Sequence, residues 1–452
     1  MKLKFFLASI FTCIISSGAW AQIDFAVEKI TVINLGDGRF LFRTLDDDKP
    51  LEGERRIIDG RKSEYILAEF SKGLYDGKYE YYKYNKLTEK GAYKQGVKHG
   101  TFIEYYSDGT VKSEKPITDG KLNGIVKTWY TNGKPESEKG YKNGVEDGIE
   151  RRWHWETGQQ TVDAKYVDGQ PDGKQIRYIT SNTGDYVEVS NFVKGVQTGE
   201  FSQTWTNGQV RIQGKYKDGK KDGVWEEYRK DGRPDKSITY KNGERTGEYK
   251  SFFNDGSVEK IENHVAGKRE GTGKEFFFNT GTLKAEYNYT NDVKDGKYKI
   301  YYDDGTLREE GSYKNETKDG LCIEYQQNGK PERSTTYKNG KRNGEYKTFF
   351  TDGTVERVEN YLDGQREGVC KEYFRSTGKL STEYNYKKNT KDGKYKIYYD
   401  TGILREEGSY ENGNAVYRKE YHPNGKVSEV SQRNSQGRWE VLEKYDRDGK
   451  KE

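Results

Sequence analysis

Four histidines and three cysteines carry the most obvious chemistry in this 452-residue sequence. His99, His154, His264 and His422 stand singly along the chain, with no pair at the spacing that sets two imidazoles on one metal. The stretch GTGKEFF at 271–277 resembles a phosphate loop only superficially: its upstream glycine is wrongly spaced, and no Ser or Thr follows Lys274. Asp46, Asp47 and Asp48 could touch calcium, but a solvated loop is the plainer reading. What remains is chemistry of recognition. Trp153, His154 and Trp155 form a run of rings that could serve as a platform for a sugar or a peptide. No catalytic, cofactor-binding or metal-binding residue is expected, and the chain reads as a non-enzyme that needs no cofactor.

The elements that would hold such a platform are written as a repeat. Residues 295–315 (DGKYKIYYDDGTLREEGSYKN) return almost unchanged at 392–412 (DGKYKIYYDTGILREEGSYEN). A glycine recurs at 77, 100, 124, 148, 173, 199, 223, 247, 271, 296, 320, 344, 368 and 393, at intervals of 23 to 26 residues. We call these the anchors. A second glycine follows each anchor from 100 onward in a turn-like setting such as DDG305, and a third in an Asn-Gly or Asp-Gly setting such as Gly144. Asp292, Glu316 and Asn389 stand where the third is missing. Short runs rich in Tyr between such dipeptides read as β-hairpins, while so many glycines would each cost a helix about 1 kcal/mol. The expected fold is therefore all-β: an elongated, single-layer antiparallel sheet of about 14 tandem hairpins, each about 24 residues long.

Two rows of rings follow the same ruler. The first stands five residues after each anchor (Tyr82, Tyr105, Trp129, Trp153, Tyr178 and onward), with Thr204 the exception. The second stands three residues before the third turn position (Tyr93, Tyr141, Tyr289, Tyr313, Tyr410 among others). Stacked hairpins are expected to turn both into ladders whose rings touch their counterparts in neighbouring repeats. Cys322 and Cys370 lie two residues after an anchor, where other repeats carry Trp225, Tyr249, Tyr298 or Tyr346, and read as small fillers of a core slot. Two repeats separate them, about 19 Å of sheet, too far for a disulfide.

Composition excludes the main alternatives. Only 31% of residues are apolar, too few for a large compact core, yet 38 tyrosines are far more than a disordered chain carries. The net charge of +5 sits on a chain that is 34% charged with both signs interspersed, so no nucleic-acid partner is expected. Residues 1–21 read as a signal peptide, with Lys2 and Lys4, an apolar run containing Cys13, and Ala19-Trp20-Ala21 as the cleavage site. That implies export to the periplasm or the extracellular space. Residues 22–76 read as a β-rich N-terminal cap, 77–416 as the tandem repeats and 417–452 as a worn C-terminal repeat. Repeats beginning at Gly148 and Gly173 are longer than most, with stretched turns HWETG158 and TSNTG184, and insertions in repeat arrays tend to mark the binding side.

The alternation G-x-[YFW]-x-x-[YF]-[YF]-x-[DN]-G followed by Y-x-[ND]-G-x-x-x-G resembles the variant form of the MORN repeat. GEYKSFFNDGSVEKIENHVAGKREG and GKYKIYYDDGTLREEGSYKNETKDG carry it most clearly, and the resemblance spans about residues 60–416. It implies tandem β-hairpins without catalytic residues, and many bacterial relatives are catalogued as antitoxin components. The expected role is a scaffold in the cell envelope for a protein or peptide partner, with a glycan as a further choice; neutralising a cognate toxin is the alternative. Association with a membrane surface is open but not indicated, and unpaired end strands leave room for end-to-end self-association.

Overall fold

The computed structural model describes residues 23–452; the signal-like segment 1–21 lies outside them. The described chain is all-β apart from one 3-10 turn at Val27–Lys29. It forms two compact blocks, one running to Gly208 and including Tyr216–Gly219, the other comprising Gln209–Lys215 and Lys220–Glu452. Apart from the start of the first block, each is an antiparallel meander in which a strand pairs with its neighbours in sequence.

The repeat beginning at Gly296 shows the local logic. Val293–Tyr301 and Leu307–Lys314 form the hairpin, joined by a tight turn at Gly305. Asn315 and Glu316 make the second turn with φ of 48° and 66°, the left-handed region that Asn tolerates and Glu resists. Glu316 is held there by its carboxylate, which accepts the Lys294 N–H at 2.8 Å. Asp292 and Asn389, the other replacements for a third glycine, accept the N–H of Arg269 and Arg366 in the same way. The anchors are not in hairpin turns. They sit in β-bulges: between Tyr287↔Tyr298 and Tyr289↔Lys294 the register shifts, and Gly296 takes φ 109° within the bulge. The carboxylate just before the anchor caps the second turn of its repeat, as Asp295 does for the Asn315 N–H and Asp392 for the Asn412 N–H.

In each block the core of the repeats is a row on one sheet face. It runs through the residue two positions after each anchor and through the residue across the next strand: Phe102, Trp225, Ile238, Tyr298, Cys322, Thr335, Cys370 and Tyr395 are all buried. Cys322 and Cys370 thus occupy the core slot read from their position. The ring ladders differ from expectation. The second row packs on this buried row, not on its own counterparts: Tyr298 lies 4.7 Å from Tyr313, Tyr395 5.0 Å from Tyr410, and Tyr346 edge-on 5.9 Å from Tyr361. His264 fills such a position beside Tyr249. The first row instead pairs across its own hairpin, mostly with an aliphatic residue or proline, as in Tyr301↔Leu307, Phe349↔Val355 and Trp129↔Pro135, while Trp153 faces Gln160. Strand alternation is the cause, because positions two and five after an anchor face opposite sides of the sheet.

In the second block a cation two residues before each anchor covers the rings. Lys294 lies 3.5 Å from the Tyr287 centroid, Lys391 3.3 Å from Tyr384 and Arg269 4.3 Å from Tyr289, so the thin row of rings is shielded by alkyl stems as well as charge.

The start of the first block departs from a single layer. Ile23–Ala26 pairs in parallel with Gly53–Asp59, and the separate hairpin Ile30–Asn34 with Phe40–Thr44 packs against the main sheet. Ile30, Phe42, Leu51, Ile57, Ala68, Phe70 and Tyr75 form one buried cluster there. Aliphatic side chains are dense enough in this stretch alone to support a second layer.

Candidate functional site

The residues picked out for recognition sit where the strand Val145–Trp153 runs into its turn. The turn is one residue longer than most: the His154 N–H donates to Gln159 O and the Gly158 N–H to His154 O. His154 stabilises this loop with its own ring, since Nδ1 lies 3.3 Å from the Thr157 N and 3.4 Å from the Glu156 N. The preceding repeat pins the loop from outside. Tyr130 Oη donates to Trp153 O at 2.7 Å, Asn132 Nδ2 to Trp155 O at 3.2 Å, and Lys134 Nζ to Glu156 O at 2.6 Å. Trp155 is left 56% exposed on a backbone fixed at three points, with the His154 ring 6.4 Å away.

Trp153 is half-buried and does not complete a three-ring platform. Where the register shifts between Arg152 and Trp153, it borders a cavity of about 390 Å³ that Tyr130, Lys139, Glu150 and Arg152 also line. Glu150 is only 3% exposed and accepts from Arg152 Nε at 2.8 Å. Burial favours its protonated form, but the Arg152 guanidinium, with Lys139 beyond it, outweighs burial and holds the carboxyl below the usual carboxylate range. The structure therefore joins His154 and Trp155 at the loop and assigns Trp153 to an adjoining polar groove.

The other chemical candidates resolve into structure. Asp46, Asp47 and Asp48 are each paired with a cation (Lys29, Lys49 and Arg43 respectively). Gly271–Phe276 is a strand, not a phosphate loop. Among the described residues, no group of three or more His, Cys, Asp or Glu could hold a metal ion.

The same long turn recurs where the sequence reading passed over it. The Phe277 N–H donates to Thr282 O and the Gly281 N–H to Phe277 O; Phe374 and Gly378 repeat the pattern. Position for position, Phe276, Phe277 and Phe278 are the counterparts of Trp153, His154 and Trp155. Phe278 is 51% exposed and packs edge-on against Phe253 at 5.1 Å. A bulky residue seven positions after an anchor, where most repeats have Asn, Asp, Ser or Thr, was the signal for both.

The frame of these repeats also identifies them. Residues 98–119, 122–143, 294–315, 318–339, 342–363 and 391–412 match the family model described as the MORN repeat variant. The chain carries MORN repeat variants at these six places. Each match begins two residues before an anchor and ends on a left-handed turn residue: Asp119, Asn143, Asn315, Asn339, Asp363 or Asn412. No curated protein matches the chain. Among solved structures, it is similar to the crystal structure of TcdB2-TccC3-Cdc42, at 11% identity over 87% of this chain and 25% of that one, with a TM-score of 0.15. It is also similar to the crystal structure of TcdB2-TccC3-TEV, at 12% identity over 91% and 27%, again with a TM-score of 0.15. The chain thus spans about a quarter of those chains.

Proposed function

We propose that this chain is an exported, non-enzymatic scaffold that holds a protein, peptide or glycan partner in the cell envelope. The observation that carries the reading is Trp155: a large ring 56% exposed on a loop whose backbone is fixed by Asn132 and Lys134 of the preceding repeat. A rigid aromatic side chain loses little entropy on docking, which makes it an efficient contact residue. The acid–base groups beside it are committed to structure, His154 to its own turn and Glu150 to Arg152. Export rests on the composition of residues 1–21, and the envelope location rests on export.

The test is retention of envelope material by the immobilised mature chain and by its Trp155→Ala variant, with protein and polysaccharide fractions applied separately. A component held by the parent and released by the variant is expected. Equal retention by both removes Trp155 from the reading, and no retention of either fraction removes the scaffold role.

A further inference from the structure

The aromatic loop of the second block has a property that the Trp155 loop lacks: it walls a cavity. Phe277 and Phe278 on one turn and Tyr301 and Tyr302 on the next line a half-open surface cavity of about 390 Å³. The rings are held in place before any ligand arrives. Phe278 rests edge-on against Phe253, and Tyr302 Oη donates to Tyr325 O at 2.8 Å. Thr282 Oγ1 bonds Asp303 O at 2.9 Å and ties the two turns together.

Four polar residues complete the wall: Asn279, Thr280, Asp303 and Arg308. Among the described residues, the Arg308 guanidinium makes no hydrogen bond or ion pair, and the Asp303 carboxylate accepts none. These two charged groups thus stand without such a partner beside the four rings.

We infer that this cavity is a saccharide subsite that takes one or two pyranose units of a glycan. The chemistry matches on both sides. A pyranose presents a face of C–H bonds whose partial positive charge suits the negative face of an aromatic ring. Its edge presents hydroxyls that both donate and accept. Asp303 accepts from them, Arg308 donates to them, and the Asn279 amide does both. The cavity volume is at the low end of the range for small-ligand sites, which suits one or two sugar rings and not a protein domain. An apolar peptide side chain would cover the rings but make none of the hydrogen bonds that the exposed Asp303 and Arg308 offer at the rim.

The chain contains its own control. Ninety-seven residues on, Phe374, Tyr398, Tyr399, Asp400 and Arg405 reproduce Phe277, Tyr301, Tyr302, Asp303 and Arg308, but Arg375 replaces Phe278. Arg375 is committed elsewhere, donating to Thr351 Oγ1 at 2.8 Å and lying 5.9 Å from the Phe350 ring. The second copy therefore lacks one stacking wall and carries a competing cation.

This inference rests on the scaffold reading, and the experiment separates the two. The mature chain is titrated with cellotetraose, N-acetylchitotetraose and a galacturonate tetramer, following intrinsic fluorescence and heat. At least one tetramer is expected to bind at one site per chain. Phe278→Arg is expected to weaken it about tenfold or more, which is the ratio 1.4 kcal/mol gives, with an unchanged melting temperature. Arg375→Phe is expected to raise the stoichiometry to two. No binding of any tetramer at millimolar concentration overturns the subsite, as does binding that Phe278→Arg leaves unchanged or a stoichiometry that Arg375→Phe leaves at one. Displacement of the tetramer by a Phe-rich peptide but not by free sugar also overturns it. Each of those failures leaves the Trp155-dependent retention of envelope material standing, and loss of that retention alone leaves the subsite standing.

Discussion

Tyr130 reaches out of its own repeat and donates its hydroxyl to the main-chain carbonyl of Trp153, 2.7 Å away in the next. The same bond joins Tyr106 to Trp129, Tyr302 to Tyr325 and Tyr399 to Tyr421. These tyrosines follow the first row of rings and lace successive hairpin ends together, where the ladder hydrogen bonds have run out. Tyr130→Phe keeps the ring and removes the lace, so a loss of about 1 kcal/mol is expected, the net worth of one hydrogen bond. Denaturant unfolding measures it. Because the bond fixes the loop that displays Trp155, faster amide exchange at residues 154–158 is expected in the same variant.

Gly91 is the other half of a close contact. It has an ordinary φ, and a Cβ placed on it would lie 2.6 Å from Cδ1 of Phe102, which is only 1% exposed. Gly91→Ala is expected to cost about 1–3 kcal/mol through overpacking. Adding Phe102→Leu should recover part of that loss, because the shorter side chain vacates the space. Additive losses in the double variant would show that the two residues do not share a contact.

Glu316 tests how a turn survives without glycine. Its φ of 66° is strained for a side chain with a Cβ, but its carboxylate bonds the Lys294 N–H of the neighbouring strand. Glu316→Gln keeps an acceptor and is expected to be near neutral. Glu316→Gly exchanges the bond for backbone freedom and should also be mild. Glu316→Ala keeps the strain and loses the bond, so it should be the worst of the three, by about 1 kcal/mol. Thermal unfolding that ranks Ala above Gly would refute this account.

How far the sequence could be read depended on whether a signal was local. Asn143-Gly144 and the Asp-Gly turns announce backbone conformations that no neighbour alters, and they fold as read. Gly91, Gly214, Gly311 and Gly408 are also glycines at regular spacing, but what they supply is room: the rings of Phe102, Trp225, Tyr298 and Tyr395 lie over them. Nothing in a single chain distinguishes a glycine that bends from one that makes space until strand register is known. The ring ladders were misread for the same reason, since regular spacing gives the rows but not the face each row occupies. Trp155 stood out because tryptophan is rare here. Phe278 did not, hidden in a run where Phe276 and Phe277 each fit a common repeat position.

The groove beside Trp153 should respond to acid. Arg152 and Lys139 hold the Glu150 carboxyl below its ordinary value of 4.5 against the opposing effect of burial. A depressed folded-state pKa means the carboxylate's stabilisation is complete above pH 4.5 and disappears as the pH falls through the lower folded value. Glu150→Gln is therefore expected to be less stable than the parent at neutral pH, with the gap closing below pH 4.5. A stability difference that stays constant from pH 7 to pH 3 would mean that Glu150 acts by shape alone.

The core rings set the opposite limit. Tyr289 and Tyr384 are both pushed up to about 12, chiefly because burial penalises the phenolate. Their folded pKa lies above the unfolded value near 10, so the stabilisation they give is whole below pH 10 and is lost as the pH rises through about 12. In that interval the unfolded chain ionises while the folded chain holds its phenolic protons. Tyrosinate absorbance and strand content should therefore change together on alkaline titration, with a cooperative step above pH 10 carried by the buried rings. Replacing Tyr384 by Phe removes one ionising group from the core and should move the midpoint of the cooperative step to higher pH. Smooth titration of all tyrosines near pH 10, with strand content intact, would show that the ring row is open to water and does not hold the sheet together.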